Sequence, residues 1–250
     1  MWHRPQLLNT VADLLFAAGA AMLLVAAAVG VLRMPPAPIR GGVLERPLQY
    51  VHPLELEEVL QGRVRGNFLS LSLDGVRDAL ESLPWVRKAQ VRRVWPNRLV
   101  VRLEEHQPAA RWGDSGQEWV NTYGEVFAAS LPEAGRAGLP LLKGPPGTAA
   151  QLLSRYGELR AALQPLGLKP VAVLLSSRLA MSLQLDNGMV LALGREQSRS
   201  PASLRLKRFI DIYPAMVAGR EPRPATVDLR YPNGFALYPA GTLPEHRGKE

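Results

Sequence analysis

Side-chain chemistry in this chain has to come from histidine, carboxylate, hydroxyl or lysine, because its 250 residues include 4 His and 0 Cys. The lack of cysteine removes a thiolate nucleophile, thiolate metal ligands and disulfides together. The histidines stand far apart: His3 near the start, His52 before a proline, His106, and His246 near the end. None lies in an H-E-x-x-H pattern, which sets two imidazoles one helical turn apart on a metal, and no serine lies in a G-x-S-x-G elbow. Glu57-Glu58 and Glu104-Glu105 are neighbours in sequence. Neighbouring positions face apart on a strand or helix, so these carboxylates are expected to be solvated rather than to share a proton. Gly144-Pro145-Pro146-Gly147-Thr148 looks like a phosphate loop, but Ala149-Ala150 follow where Gly-Lys-Ser/Thr would hold phosphate and magnesium. Asp186-Asn187-Gly188 lacks the further acidic ligands of a calcium loop and reads as a turn. The expectation is a chain with no catalytic residues, no cofactor and no metal, which acts by binding.

The formal charge of +8 and pI of about 10.2 raise nucleic acid as a partner. The arrangement argues against it. Arg87, Lys88, Arg92, Arg93, Arg98 and Arg102 form a local group with no stacking aromatics spaced regularly among them. A charged outer sheet face accounts for them, and no nucleic-acid partner is expected.

One element concerns a membrane rather than a site. Leu14 to Leu32 runs without a charge, about 28 Å at roughly 1.5 Å per residue, which matches a bilayer core. Arg33 and Pro35-Pro36 stop it, and Arg4, Asn9 and Asp13 flank its start. Ala26-Ala27-Ala28 offers a signal-peptide cleavage site, although the apolar run continues beyond it. Both readings send the remainder across a membrane. Lysine and arginine counts leave orientation open, with Arg33, Arg40 and Arg46 after the span and His3 and Arg4 before it. A short tail inside and a large region outside is the arrangement expected, since long regions translocate largely regardless of charge.

The pattern then predicts two folded units. In the first, residues 43–111, Val43 to Val51 reads as a strand and Pro53 opens a short helix. Asp74 is expected to cap a helix with its apolar face at Val76, Ala79, Leu80 and Leu83. Val86 to Val94 and Arg98 to Glu105 alternate at period two around Trp95-Pro96-Asn97, a hairpin. The second unit, residues 112–239, opens with strands about a turn at Gly124. A helix follows with Leu152, Tyr156, Leu159 and Leu163 on one stripe, ended by Pro165 and Gly167. Strands are expected at 171–175, 179–185 and 189–193. Ser200-Pro201 then starts a helix burying Leu204, Leu206, Phe209, Ile210, Tyr213 and Val217 and closing at Gly219. The last strand pair is residues 225–231 and 235–238, joined by Pro232-Asn233-Gly234. The fold class is α+β: a transmembrane helix (14–32) behind a short tail (1–13) and a connector (33–42), a β-α-α-β-β unit, a mostly antiparallel β unit with two amphipathic helices, and a C-terminal tail (240–250).

The β-α-α-β-β order, Leu83-Pro84-Trp85-Val86, Trp95-Pro96-Asn97 and the later Pro108, Ala110, Arg111 and Trp112 resemble the POTRA domain of the FtsQ/DivIB family of bacterial cell-division proteins. The Gly124-x-x-Phe127 hairpin and the Val227-Asp228-Leu229-Arg230-Tyr231 segment are similar to that family as well. The resemblance implies a non-catalytic scaffold of the division septum, single-pass in the inner membrane, with its amino terminus cytoplasmic and its bulk periplasmic. It implies FtsB and FtsL as partners of the second unit, and FtsK, FtsW, FtsI and FtsN as further ones. Leu229, Arg230, Tyr231, Gly234 and Phe235 match the family segment that binds by strand addition, with Arg230 suited to a partner carboxylate and Tyr231 to an anchoring role. Two other classes stay open at this stage. A POTRA-type chaperone for secreted or outer-membrane polypeptides would be marked by a downstream barrel, and an envelope enzyme by turnover of peptidoglycan.

Overall fold

The structure is a computed structural model, and it describes residues 5–32, 42–44, 48–63, 71–95, 98–231 and 234–239. Outside these fall His3, Arg4, the stop at Arg33 and Pro35-Pro36, most of the connector, Arg40, Arg46, Pro96-Asn97, Pro232-Asn233 and the tail with His246. The chain forms two compact units, residues 1–105 and 106–250.

The first unit begins with helix α1 (Pro5–Leu32, 28 residues), longer than the span expected at 14–32. Proline is favoured at a first helical position, and no helix breaker stands between Gln6 and Asp13, so much of the expected leader is helical. The stretch Asn9–Gly30 is long and apolar enough to cross a membrane, and its side chains are not covered by the rest of the protein.

After α1 come β1 (Gly42–Leu44), α2 (Pro53–Arg63), α3 (Leu73–Glu81), β2 (Val86–Val94) and β3 (Arg98–Glu105). Of the strand expected over Val43 to Val51, the described residues show Gly42–Leu44 as strand and residues 49–51 as a bend. The sheet order is β1-β3-β2, with β1 parallel and β2 antiparallel to β3. α3 packs on β2, where Val76 and Leu80 are buried, as are Ala89, Leu99, Val101 and Leu103 on one face of the sheet. The cap of α3 is Ser72, not Asp74. Ser72 has the extended backbone that a cap needs, and its hydroxyl accepts from the Gly75 N–H at 3.1 Å. Asp74 lies in the first turn and pairs with Arg77 at 2.9 Å.

The bend at residues 49–51 is tied to the far end of β3 by one carboxylate. Glu105 accepts the backbone N–H groups of Gln49, Tyr50 and Val51, each at 2.8 Å. The Tyr50 ring stacks on Trp85 with centroids 4.2 Å apart, which gives the tryptophan of Leu83-Pro84-Trp85-Val86 a packing role.

The second unit contains β4 (Pro108–Trp112), β5 (Glu118–Asn121), β6 (Val126–Ala128), α4 (Glu133–Arg136), β7 (Leu141–Lys143), α5 (Ala149–Leu163), β8 (Pro170–Leu175), β9 (Ala180–Leu185), β10 (Val190–Arg195), α6 (Ala202–Met216), β11 (Thr226–Asp228) and β12 (Ala236–Tyr238). They form one sheet in the order β12-β11-β10-β9-β8-β7-β4-β5-β6. β4 pairs with β5 and β7 in this sheet, so the division between units falls at Glu105/His106 rather than after Arg111.

The sheet is mostly antiparallel, and its parallel pairs include β7/β8 and β10/β11. A parallel neighbour requires a crossover, and α5 and α6 are the crossovers of these two pairs. Leu152, Leu159 and Leu163 from α5 join Leu206 and Phe209 from α6 over Val173, Leu183, Leu191 and Val227 of the sheet. α6 departs from expectation in two ways. Leu204 is exposed while Arg205 is buried, because Arg205 shares the inward face with Phe209 one turn on. The helix also ends at Met216, before Gly219, with the Val217 and Ala218 N–H groups both bonding the Tyr213 carbonyl.

Gly124 turns the β5–β6 hairpin at φ +83°, and a Cβ there would sit 2.6 Å from Ala150 Cα at the start of α5. That position requires glycine for both its backbone and its space.

Removing the carboxylate in Glu105→Ala should leave three backbone donors without their acceptor and cost the first unit about 1.5–3 kcal/mol. Amide hydrogen exchange of Tyr50 and Val51 reads the loss, and protection equal to the parent chain would exclude the tie.

Candidate functional site

β12 is the terminal strand of the large sheet, paired on one side with β11 by the register Thr226↔Tyr238, Val227↔Leu237 and Asp228↔Ala236. Among the described residues no strand pairs with its other side. Such an edge presents backbone N–H and C=O groups to an incoming strand.

The five residues picked out by resemblance lie around this edge with different exposures. Leu229 is buried in the core, and its N–H donates to Ala192 O at 3.0 Å, extending the β10–β11 ladder. Phe235 is half-buried against the same core. Arg230, Tyr231 and Gly234 are on the surface, with Tyr231 49% exposed. Tyr231 also meets the last strand: hydrogen bonding with it pushes the Tyr238 hydroxyl pKa up.

Arg230 is engaged within the chain. Its Nε and Nη2 reach the two oxygens of Asp228 at 2.8 and 2.6 Å, and its backbone N–H donates to Asp228 Oδ1 at 3.0 Å. Asp228 is 1% exposed. Burial alone would raise its pKa, but the side-chain and backbone hydrogen bonds from Arg230, with the cation's charge, outweigh burial and hold the carboxyl below its ordinary 3.8. The same fork raises the pKa of Arg230. The stem of Arg230 lies over Gly194, where the backbone is at φ +75° and a Cβ would be 2.8 Å from Arg230 Cγ.

Beside the fork is a groove of about 710 Å³ whose lining includes Arg178, Arg195, Arg205 and Arg230, with Ser176 and Ser182, and no acidic residue. Arg178 is presented by the turn between β8 and β9. Leu179 there takes φ +59°, a left-handed backbone uncommon for leucine. Ser176 stabilises the turn: its carbonyl accepts from the Leu179 N–H and its hydroxyl from the Ala180 N–H. Arg205 is 2% exposed and donates from Nη2 to the Arg195 carbonyl. Its Nε has no hydrogen-bond partner. Burial pushes its pKa down, Glu196 opposes this and Arg208 adds to it. A groove that presents Arg178 and Arg195 with no acidic lining residue is electrostatically matched to a carboxylate.

Arg178, Arg195 and Arg205 were not among the residues the sequence singled out. Arg205 carried a signal, standing one turn from Phe209 on a helix whose other face is charged. Arg178 and Arg195 carried none, because their convergence depends on the order of β8, β9 and β10 in the sheet. His106 stacks on Phe127 at 4.2 Å and His52 is exposed.

The sequence matches the family model described as "POTRA domain, FtsQ-type" over residues 45–106, and that described as "Cell division protein FtsQ/DivIB, C-terminal" over residues 110–230. A protein named cell division protein FtsQ from Bordetella pertussis is 36% identical, covering 98% of this chain and 96% of its own length. The chain belongs to the FtsQ family of cell-division proteins. An FtsQ from Burkholderia pseudomallei is also 36% identical over 96% of this chain and 95% of its own. That from Shewanella oneidensis is 38% identical over 80% and 73%. The FtsQ C-terminal match ends at Arg230, so Tyr231, Gly234 and Phe235 lie just beyond it. In this FtsQ-family chain α1 fits a single-pass membrane anchor.

A carboxyl with a lower pKa in the folded than in the unfolded state binds fewer protons when folded. Its stabilising contribution is therefore present at neutral pH and is lost as pH falls below 3.8 toward the folded value. Asp228→Asn should lower the unfolding free energy at neutral pH by about 1.5–3 kcal/mol and flatten the decline on acidification. Denaturant unfolding of the full chain in detergent at neutral and at acid pH measures both, and an unchanged neutral midpoint would count against the fork. Gly194→Ala should cost about 1–3 kcal/mol through its positive φ and the displaced Arg230 stem, which the same assay reads.

Proposed function

We propose that this chain is a non-catalytic scaffold of the division septum. α1 anchors it in the inner membrane with its amino terminus cytoplasmic and both folded units periplasmic, and its second unit binds FtsB and FtsL by accepting a strand on β12. The observation that carries this reading is the open side of β12 among the described residues, with the basic groove reached from the same end of the sheet through Arg230, after β11. The strand supplies backbone hydrogen bonds and the groove supplies selectivity, so the favoured occupant is an extended segment with a carboxylate beside it. Tyr231 is the exposed aromatic at the edge and serves as the anchor. Because Arg230 already neutralises a buried carboxylate, Arg178 and Arg195 are the cations available to the partner, while Arg230 shapes the groove.

That division of labour sets the choice of variants. Arg230→Glu would place two carboxylates against each other at Asp228 and disturb the fold, whereas Arg178→Glu and Tyr231→Ala alter only surface groups. Each of these two should weaken binding of FtsB by at least about tenfold, or 1.4 kcal/mol, with circular dichroism unchanged. Titration of the full chain in detergent with the FtsB periplasmic segment is the measurement. Parent-like affinity in both variants would overturn the location of the site.

A further inference from the structure

Between Val86 and Leu103 the first unit has no acidic residue. The side of this hairpin turned away from α3 carries Lys88, Arg92, Arg98 and Arg102, all exposed, with Val94 and Val100 half-buried among them. Alternation puts these residues on one face, and the cross-strand pairs Arg92↔Val100 and Val94↔Arg98 concentrate cations and valines toward the hairpin tip. Glu104 lies at the other end, opposite Lys88 and bonded to Arg87 at 3.0 Å. Arg93 is on the helix side, where it donates to the Leu71 carbonyl. Asp74 and Asp78 also belong to the helix side and are paired with Arg77.

At the tip stands Trp95, 85% exposed. Amphipathic Trp beside Arg is the composition of a membrane–water interface. Topology supplies a second, independent observation. β1 is parallel to β3 and begins with Gly42 opposite Leu99, so the chain enters the sheet from α1 at the tip end. Residues 33–41 join α1 to β1, and at about 3.3–3.6 Å per residue they reach at most about 35 Å. The tip end of the sheet thus lies within that reach of the end of the apolar helix, and each cation that comes near an anionic surface adds attraction.

We propose that the β2–β3 tip of the first unit rests on the anionic lipid surface of the membrane that α1 spans, with Trp95 in the interface and Arg92, Arg98 and Arg102 against lipid phosphates. The proposal rests on the anchoring of α1 given above.

The test uses the full chain in vesicles whose lipids carry bromine on their acyl chains, with or without phosphatidylglycerol in phosphatidylcholine. Emission of the parent minus that of Trp95→Phe isolates Trp95. The expected result is bromolipid quenching of this difference in anionic vesicles, at least twofold weaker in neutral vesicles and in Arg92→Glu/Arg98→Glu. If the protein floats with vesicles but Trp95 is unquenched, or is quenched equally in neutral and anionic vesicles, the docking proposal falls and the anchor stands. If Trp95 is shielded only after a division partner is added, the tip is a protein contact and the lipid proposal is overturned. If the protein does not float with vesicles, the anchoring reading fails and docking fails with it.

Discussion

One buried carboxylate organises the end of the large sheet. Asp228 sits at the point where β11 stops, is shielded from water, and stays charged because Arg230 grips it with two nitrogen donors and a backbone N–H. A buried charge without such a partner would either protonate or pull the strand end into solvent. The grip also fixes where Arg230 can lie, along the bare backbone of Gly194. That position defines one wall of the basic groove, so the local neutralisation of one acid and the shape of the groove come from the same contact.

The strand order decides the rest. α5 and α6 are both crossovers to parallel neighbours, and they cover one face of the sheet with leucines and Phe209. With that face closed, the cations of the β8–β9 turn, β10 and the segment after β11 gather in the groove. Arg205 links the two arrangements. It belongs to the buried stripe of α6, yet its guanidinium lines the groove and bonds the Arg195 carbonyl.

Periodicity was enough to read most elements from the residues. The β2–β3 hairpin, α5, and the strands from β8 to β10 fall close to where alternation and helical spacing put them. Local signals were less able to separate competing choices a residue or two apart. Ser72 and Asp74 are both good capping residues, and the backbone conformation that favours Ser72 is not written in their types. The boundary between units was misplaced because β4 resembles a continuation of β3 until its partners β5 and β7 are known. At the candidate edge, resemblance pointed to the segment from Leu229 to Phe235, but not to which of its residues face the core. The groove beside it was invisible for a simpler reason: Arg178, Arg195 and Arg205 are distant in sequence, and only the sheet order brings them together.

The two strands that form the edge are also the last of the sheet to be synthesised. A nascent polypeptide that has passed α6 already holds every strand from β4 to β10, and its sheet then ends at β10. Only when the segment through Tyr238 has emerged does β11 cover that margin and β12 replace it as the outermost strand. Under the strand addition proposed above, β12 would be open to a partner only in chains whose translation has run through the whole sheet.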